Sequence, residues 1–189
     1  MSDNRLRIMK AAMKLFAARG YDAVGIQEII DAVGITKPTL YHYFGSKQGL
    51  LDDILKEDFE ELIAEIKASS RYNGDVTLAL RQTLSAFFEF AREHPVFYRM
   101  QLAMWFAPPE SHAHKAEAKY NQQLYRLMEE LFLLAAKDHG NMKGRHHGYA
   151  ATFLGMINTY IGLSINGHVK LNDDLVYKSV HQYMHGIFS

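Results

Sequence analysis

Residues 34–47 read Gly-Ile-Thr-Lys-Pro-Thr-Leu-Tyr-His-Tyr-Phe-Gly-Ser-Lys, and this stretch predicts a very short helix held between two turns. Thr36 is a favourable N-cap residue, because its hydroxyl can accept a backbone N–H of the first turn. Pro38 falls in that first turn, where a missing N–H has no cost. Gly45 can end the helix in a left-handed conformation. The helix is therefore bounded by its own residues.

The two sides of this short helix differ in chemistry. Leu40 and Phe44 share one face at a spacing of four residues and can anchor the helix to a core. The side chains that point away are cationic, hydroxyl-bearing or aromatic: Lys37, Thr39, Tyr41 and His42. No acidic residue occurs between Asp31 and Asp52. We therefore expect the helix to be presented to a phosphate backbone.

The residues before Gly34 supply a partner helix. Apolar side chains recur there at the i, i+3, i+4, i+7 spacing of an amphipathic helix, at Ile26, Ile29, Ile30 and Val33. A helix, a glycine-containing turn and a second short helix form a helix-turn-helix. In that motif the second helix enters the major groove and the first crosses the DNA backbone. On periodicity alone, an ordinary helical hairpin is the alternative.

The same region resembles a known family. The matching pieces are Ala12, Leu15-Phe16-Ala17, Gly20-Tyr21, Ile29, Gly34-Ile35-Thr36-Lys37, Thr39-Leu40-Tyr41, Tyr43-Phe44 and Ser46-Lys47. In this order and spacing they resemble the DNA-binding domain of the TetR family of bacterial transcriptional regulators. Two positions depart from the family pattern: Val24-Gly25 stands where a Thr pair is usual, and Gln48 stands where Glu is favoured.

The resemblance and the helical spacing together predict an all-α fold of about nine helices. Residues 1–48 are expected to form a three-helix helix-turn-helix domain. A long helix would join it to a C-terminal ligand-binding and dimerisation bundle of residues 49–189. Outside the helix-turn-helix, the spacing predicts helices near residues 3–19, 46–69, 75–94, 96–106, 112–138, 148–166 and 173–186.

Charge is distributed unevenly along the 189 residues. The whole chain has 21 basic and 21 acidic side chains, yet residues 1–50 hold seven basic and four acidic ones. A basic end on an acidic body fits one DNA-facing end. Cysteine is absent, so disulfides and thiolate metal sites are excluded. We find no signal pattern and no apolar run of ~18 residues, and therefore expect a soluble, cytoplasmic protein without a membrane partner.

The expected DNA-binding residues are those of the short helix and its flanks: Thr36, Lys37, Pro38, Thr39, Tyr41, His42 and Lys47. Lys47 would hold a phosphate at the start of the fourth helix, with help from the helix dipole. One short recognition helix contacts few base pairs. A homodimer on palindromic double-stranded DNA is therefore expected.

The last two helices are the expected dimer interface, since the TetR family usually builds a four-helix bundle there. Small residues on one face of the eighth helix would allow close approach: Ala151, Gly155, Thr159 and Gly162. The ninth helix would add Val176, Val180 and Tyr183, with Ile187 on the same face. Close packing within one subunit is the alternative.

The middle of the chain is rich in aromatic residues and methionine. This composition is typical of an apolar pocket and favours a small, largely apolar effector. The resemblance implies a ligand site in the same part of the chain, since TetR-family C-terminal domains commonly bind small molecules. The expected lining residues are Phe88, Met100, Met104, Trp105, Phe106, Tyr125 and Met128. Ordinary core packing is the alternative for each of these residues. Trp105, the single tryptophan, is the favoured individual position.

Ten histidines raise the question of a metal. His181 and His185 have a suitable i, i+4 spacing, while His112, His114, His146 and His147 lie in or near loops. No carboxylate or cysteine completes an obvious set, so solvated or interface histidines are preferred and neither metal nor cofactor is expected.

Enzyme motifs are also absent from the sequence. There is no Gly-x-Gly-x-x-Gly or Walker loop, and Gly162-Leu-Ser-Ile-Asn166 misses a nucleophile elbow at its last position. The leading hypothesis is a ligand-responsive repressor. A transcriptional activator, or a helical small-molecule carrier or enzyme, remains the alternative.

Overall fold

The computed structural model describes residues 3–186, and within that range it contains helices and no strand. The α-helices are α1 Asp3–Arg19, α2 Ile26–Val33, α3 Lys37–Phe44, α4 Lys47–Ser69, α5 Val76–Glu93, α6 Pro95–Trp105, α7 His112–Asp138, α8 His146–Ile165 and α9 Asp173–His185. A 3₁₀ turn spans Gly140–Met142. The all-α prediction is confirmed. Ile187, expected on the ninth helix, lies outside the described residues.

The chain divides into two compact units. The first unit comprises Met1–Glu60 and Pro95–Tyr120, and the second comprises Glu61–His94 and Asn121–Ser189. The first unit therefore holds more than the predicted helix-turn-helix domain of residues 1–48. Among residues 3–186, no helix combines the length and apolar character that crossing a membrane requires.

The first unit is built around α1, which packs against α2 and α6, while α2 packs against α3. Its core contains fully buried apolar side chains from each of these layers, including Ile8, Phe16, Ile29, Leu40 and Phe97. Phe59 of α4 stacks on Tyr120 at a ring-centroid distance of 4.6 Å. These contacts pack the helix-turn-helix into the core of the first unit.

In the second unit, α5 packs against both α8 and α9. Side-chain caps begin two of its helices: Asp75 accepts the N–H of Leu78 at 2.9 Å, and Asn172 accepts the N–H of Leu175 at 2.9 Å. Its core contains the buried rings of Phe87, Phe88, Phe90, Phe132 and Phe153.

Candidate DNA-binding interface and cavity

The short helix α3 is fixed at both ends by local backbone geometry. Thr36 caps its start, since the hydroxyl accepts the N–H of Thr39 at 3.4 Å. Gly34 ends α2 in the left-handed region at φ 74°, and Gly45 ends α3 at φ 68°. A side chain at either glycine would be strained there. The turn and the helix are therefore determined by three residues.

The inner side of α3 is anchored as its sequence predicts. Leu40 is fully buried and Phe44 is nearly so. The guanidinium of Arg5 lies 5.7 Å from the centre of the Phe44 ring. The same group pairs with Asp53 at 2.8 Å and with Glu57. Arg5 thus ties α1 to the end of α3 and to α4.

Gly49 allows an unusually close approach between α3 and α4. A Cβ atom added at Gly49 would lie 2.1 Å from the carbonyl oxygen of Phe44. The N–H of Gly49 donates to the Ser46 hydroxyl at 2.9 Å, which caps α4. Only glycine fits this junction without a shift of the backbone. In the sequence, the only indication of this close approach is a glycine in the first turn of a helix. The sequence does not show which atoms that glycine faces.

The outer side of α3 is open to solvent. Thr36, Lys37, Pro38, Tyr41 and His42 are exposed, and Thr39 is partly buried. The Lys37 ammonium lies 5.9 Å from the centre of the Tyr41 ring. The Thr36 hydroxyl is already occupied, because it shares a hydrogen bond of 2.8 Å with the Thr39 hydroxyl. These residues share the outer side of α3 and its N-terminal flank, and their contacts with DNA stay a prediction.

Lys47 begins α4 beside this surface. Its ammonium lies 4.1 Å from the centre of the Tyr21 ring, a favourable cation–π distance. Burial lowers the pKa of Lys47, while Asp22 and Glu28 act in the opposite direction. Burial, with Asp22 and Asp52, raises the pKa of Tyr21 to about 12, so the ring stays a neutral platform. Lys47 is thus held in place at a helix start.

The residues predicted for a dimer interface fall on two different surfaces. On α8, Ala151, Gly155 and Thr159 are exposed and Gly162 is partly exposed. On α9, Val176 and Val180 are buried in the core of the same chain. Tyr183 is partly buried and donates its hydroxyl to the Tyr149 carbonyl at 2.7 Å. The side chains of Val176 and Val180 are therefore used in the core of the same chain, while the dimer interface itself stays a prediction.

The residues predicted to bind a ligand are mostly core residues. Phe88, Met100, Met104 and Met128 are buried, Trp105 and Tyr125 are intermediate, and Phe106 is 82% exposed. Met100, Met104, Trp105 and Phe106 belong to the first unit, whereas Phe88, Tyr125 and Met128 belong to the second. Their role in ligand binding stays a prediction.

The second unit contains a cavity of about 500 Å³ that the sequence did not reveal. It is lined by Val76, Leu80, Phe132, His139, Asn141, Met142, Tyr149, Thr152, Tyr183 and Met184. The ring of Phe132 lies 5.5 Å from that of Tyr149. Burial raises the pKa of Tyr183 to about 12. The Nε2 atom of His139 is buried without a hydrogen-bond partner among the described residues. The cavity therefore combines an apolar wall with an unused polar atom.

The structure places four histidines in two pairs of the second unit. His181 and His185 lie side by side on α9, with ring centroids 4.7 Å apart. His146 and His147 begin α8, and Glu129 of α7 contacts His147 directly. A carboxylate thus joins the histidine pair for which the sequence offered no third group.

Glu117 is a buried carboxyl in the first unit. It is fully inaccessible, and neither oxygen has a hydrogen-bond partner among the described residues. Burial raises the pKa of Glu117 from 4.5 to about 8. The side chain is therefore mostly protonated at neutral pH.

Comparison with known proteins supports the helix-turn-helix. Residues 8–54 match the family described as bacterial regulatory proteins, tetR family. The chain is 34% identical over 98 residues to the HTH-type transcriptional activator FasR of Mycolicibacterium smegmatis, covering 52% of this chain and 45% of FasR. It is 36% identical over 66 residues to the HTH-type transcriptional repressor KstR2 of Rhodococcus jostii, covering 35% and 32%. The chain thus matches less than half the length of these curated relatives.

Solved structures share the whole fold. A TetR-family transcriptional regulator from Bordetella parapertussis has a TM-score of 0.81 at 24% identity, covering 100% of this chain and 97% of that one. FadR from Bacillus subtilis, solved in complex with stearoyl-CoA, has a TM-score of 0.78 at 16% identity, covering 96% and 98%. The family match lies on the capped helix-turn-helix described above. Residues 8–54 thus carry the DNA-binding domain of the tetR family of bacterial regulatory proteins, and the whole chain has the fold of solved TetR-family regulators.

Proposed function

We propose that this protein is a ligand-responsive repressor that binds a palindromic operator in double-stranded DNA as a homodimer. The observation that carries the proposal is the exposed face of α3. It presents Lys37, Tyr41 and His42 on a helix fixed at both ends, with no acidic side chain in the helix. Such groups read base edges in the major groove. Lys47, held beside them, would position the protein on a phosphate.

Dimerisation is supported by the exposed face of α8. A Cβ atom added at Gly155 or Gly162 would meet nothing within 4 Å, so a second helix has room to approach closely. On α9, Tyr177 and His181 are also exposed. A two-fold dimer would present two copies of α3 to half-sites about 34–36 Å apart. Palindromic operators follow from that symmetry.

We place the effector in the cavity of the second unit. Its volume of about 500 Å³ falls within the usual range for small-molecule sites, which is roughly 300–1,000 Å³. Phe132, Tyr149 and Met184 suit an apolar ligand body. A polar ligand group would satisfy His139 Nε2, since buried polar atoms are ordinarily hydrogen-bonded. The proposed effector is therefore largely apolar with one polar group.

The test uses fluorescence anisotropy with duplexes taken from the DNA that flanks the protein's own gene. We expect specific binding, and a loss of roughly 5–150-fold for Lys37→Ala or Tyr41→Ala, the range that one good base contact supplies. Lys170→Ala, which removes an exposed positive charge from the second unit, is the matched control. Equal binding by Lys37→Ala, Tyr41→Ala and the control would refute the assignment of α3.

An activator on the same scaffold is the second candidate, favoured by the similarity to the activator FasR. Reporter expression from the bound promoter separates the two. Deleting the gene should raise expression if the protein is a repressor and lower it if the protein is an activator.

A further inference from the structure

We propose that Glu129, His146 and His147 form a binding site for a divalent transition-metal ion of the zinc class. The three side chains come from two neighbouring helices of the second unit, α7 and the first turn of α8. One ligand atom from each lies within 4.8 Å of the other two. The two imidazole rings are 4.1 Å apart. The site lies between secondary-structure elements and is not a run of adjacent surface charges.

The donor set suits zinc and not the common hard cations. Two imidazole nitrogens and one carboxylate oxygen are typical zinc ligands, whereas Mg²⁺ and Ca²⁺ prefer sites made of oxygen atoms alone. Three protein ligands leave the fourth tetrahedral position for water. At Zn–ligand lengths of about 2.0–2.1 Å the ligand atoms lie about 3.4 Å apart. Since the three ligand atoms already lie within 4.8 Å of one another, small side-chain rotations can bring them to these distances.

The surroundings hold two of these ligands in position. The Tyr125 hydroxyl donates to the His147 carbonyl at 3.0 Å, which ties the start of α8 to α7. The Glu129 side chain is only 17% exposed, and it contacts Nδ1 of His147. Phe132, one turn after Glu129, packs against Tyr149 at 5.5 Å. The backbone positions of the ligands are thus set by helix packing.

His146 distinguishes this site from a simple hydrogen-bonded pair. The contact between His147 and Glu129 does not require a third group. Yet Nδ1 of His146 is buried with no hydrogen-bond partner among the described residues, which is rare for a buried polar atom. A bound metal ion would recruit this ring into the site.

The charge of Glu129 is important for binding a cation at the start of α8. The start of a helix carries about half a positive charge, which opposes a cation. The negative charge of Glu129 offsets it.

The test is a zinc titration of the tag-free, chelator-treated full chain in competition with a chromophoric zinc indicator. We expect one Zn²⁺ bound per chain. Glu129→Gln, His146→Ala and His147→Ala should each weaken binding by about tenfold or more. His168→Ala, an exposed histidine on the connection between α8 and α9, is the control and should bind as the parent does.

Two further measurements make the outcome decisive. Co²⁺ in the same site should give intense visible absorption if the geometry is tetrahedral, and His147→Ala should abolish it. Circular dichroism confirms that each variant is folded, and His146→Gln replaces His146→Ala if the alanine variant unfolds. The proposal would be refuted if the parent protein bound no zinc, or if each of the three single variants bound zinc as tightly as the parent does. Loss only upon replacement of His181 and His185 would assign the metal to α9 instead.

Discussion

Replacing Gly49 by alanine should destabilise the first unit, although alanine is the better helix former. The added Cβ atom would lie 2.1 Å from the carbonyl oxygen of Phe44, whereas real Cβ contacts are essentially never shorter than 3.0 Å. The obstructing atom belongs to the backbone, so no change of side-chain rotamer relieves the contact. Either the last turn of α3 or the first turn of α4 must move.

The expected magnitude follows from two opposed effects. Alanine in place of a helical glycine contributes about 0.5–1 kcal/mol. Overpacking typically costs about 1–3 kcal/mol, and a shift would also strain the cap in which Ser46 accepts the Gly49 N–H, a bond worth about 1 kcal/mol. The net loss should therefore be about 1–3 kcal/mol. Since α3 carries the predicted DNA contacts, operator affinity should fall as well.

Urea denaturation followed by circular dichroism measures the change in unfolding free energy. Gly148→Ala is the matched control, because Gly148 is the third residue of α8 as Gly49 is the third residue of α4. A Cβ atom at Gly148 meets nothing within 4 Å, so this variant should gain about 0.5–1 kcal/mol. Equal gains for both variants would show that the α3–α4 junction is looser than described.

Three further substitutions test other parts of the chain. The raised pKa of Glu117 should make the unfolding free energy of the parent protein fall by up to about 1.4 kcal/mol per pH unit as the pH rises from roughly 4.5 to 8. Glu117→Gln should abolish this fall, because glutamine does not ionise. Urea denaturation at pH 5 and pH 8 measures the difference. Lys47→Ala should weaken binding to all duplexes alike and lower the salt slope by about one unit, since the predicted contact is to phosphate; anisotropy at several salt concentrations checks this. Gly155→Leu should separate the proposed dimer, because overpacking of a close helix contact costs about 1–3 kcal/mol; light scattering gives the mass.

Each of these expectations has an outcome that contradicts it. Glu130→Gln alters an exposed carboxyl on the same helix, and a pH response equal to that of Glu117→Gln would remove burial as the cause. A changed sequence preference with an intact salt slope would show that Lys47 reads bases. An unchanged dimer mass for folded Gly155→Leu would place the interface elsewhere.

Most of the helix-turn-helix could be predicted from the sequence because its determinants are local. Thr36, Gly34 and Gly45 act on backbone groups within four or five residues of themselves, so their positions alone bound α3. The start of α8 was less well determined. Its N-cap residue Arg145 makes no side-chain cap, and the helix begins at His146, two residues before Gly148, where it was expected.

The features that were missed depend on packing between distant segments. Periodicity showed that Val176 and Val180 share a face of α9, but it could not show that this face meets the core of the same chain. Likewise, Glu129 lies 18 residues before His147, and only the packing of α7 against α8 brings them together. Met100 and Met128 fit a core and a pocket equally well by sequence, since both environments are apolar.

The helix-turn-helix and the helical bundle that follows it therefore differ in how strictly their folds determine the sequence. A family match confined to residues 8–54 coexists with a TM-score of 0.81 over the whole chain at 24% identity. A bundle core accepts many apolar residues of suitable volume, whereas a capped recognition helix against DNA needs particular residues at particular positions. The second unit can therefore vary more in sequence than the helix-turn-helix while it keeps the same fold. The proposed effector would be recognised in the cavity of the second unit, where the buried His139 nitrogen among aromatic rings favours a polar group on an otherwise apolar molecule.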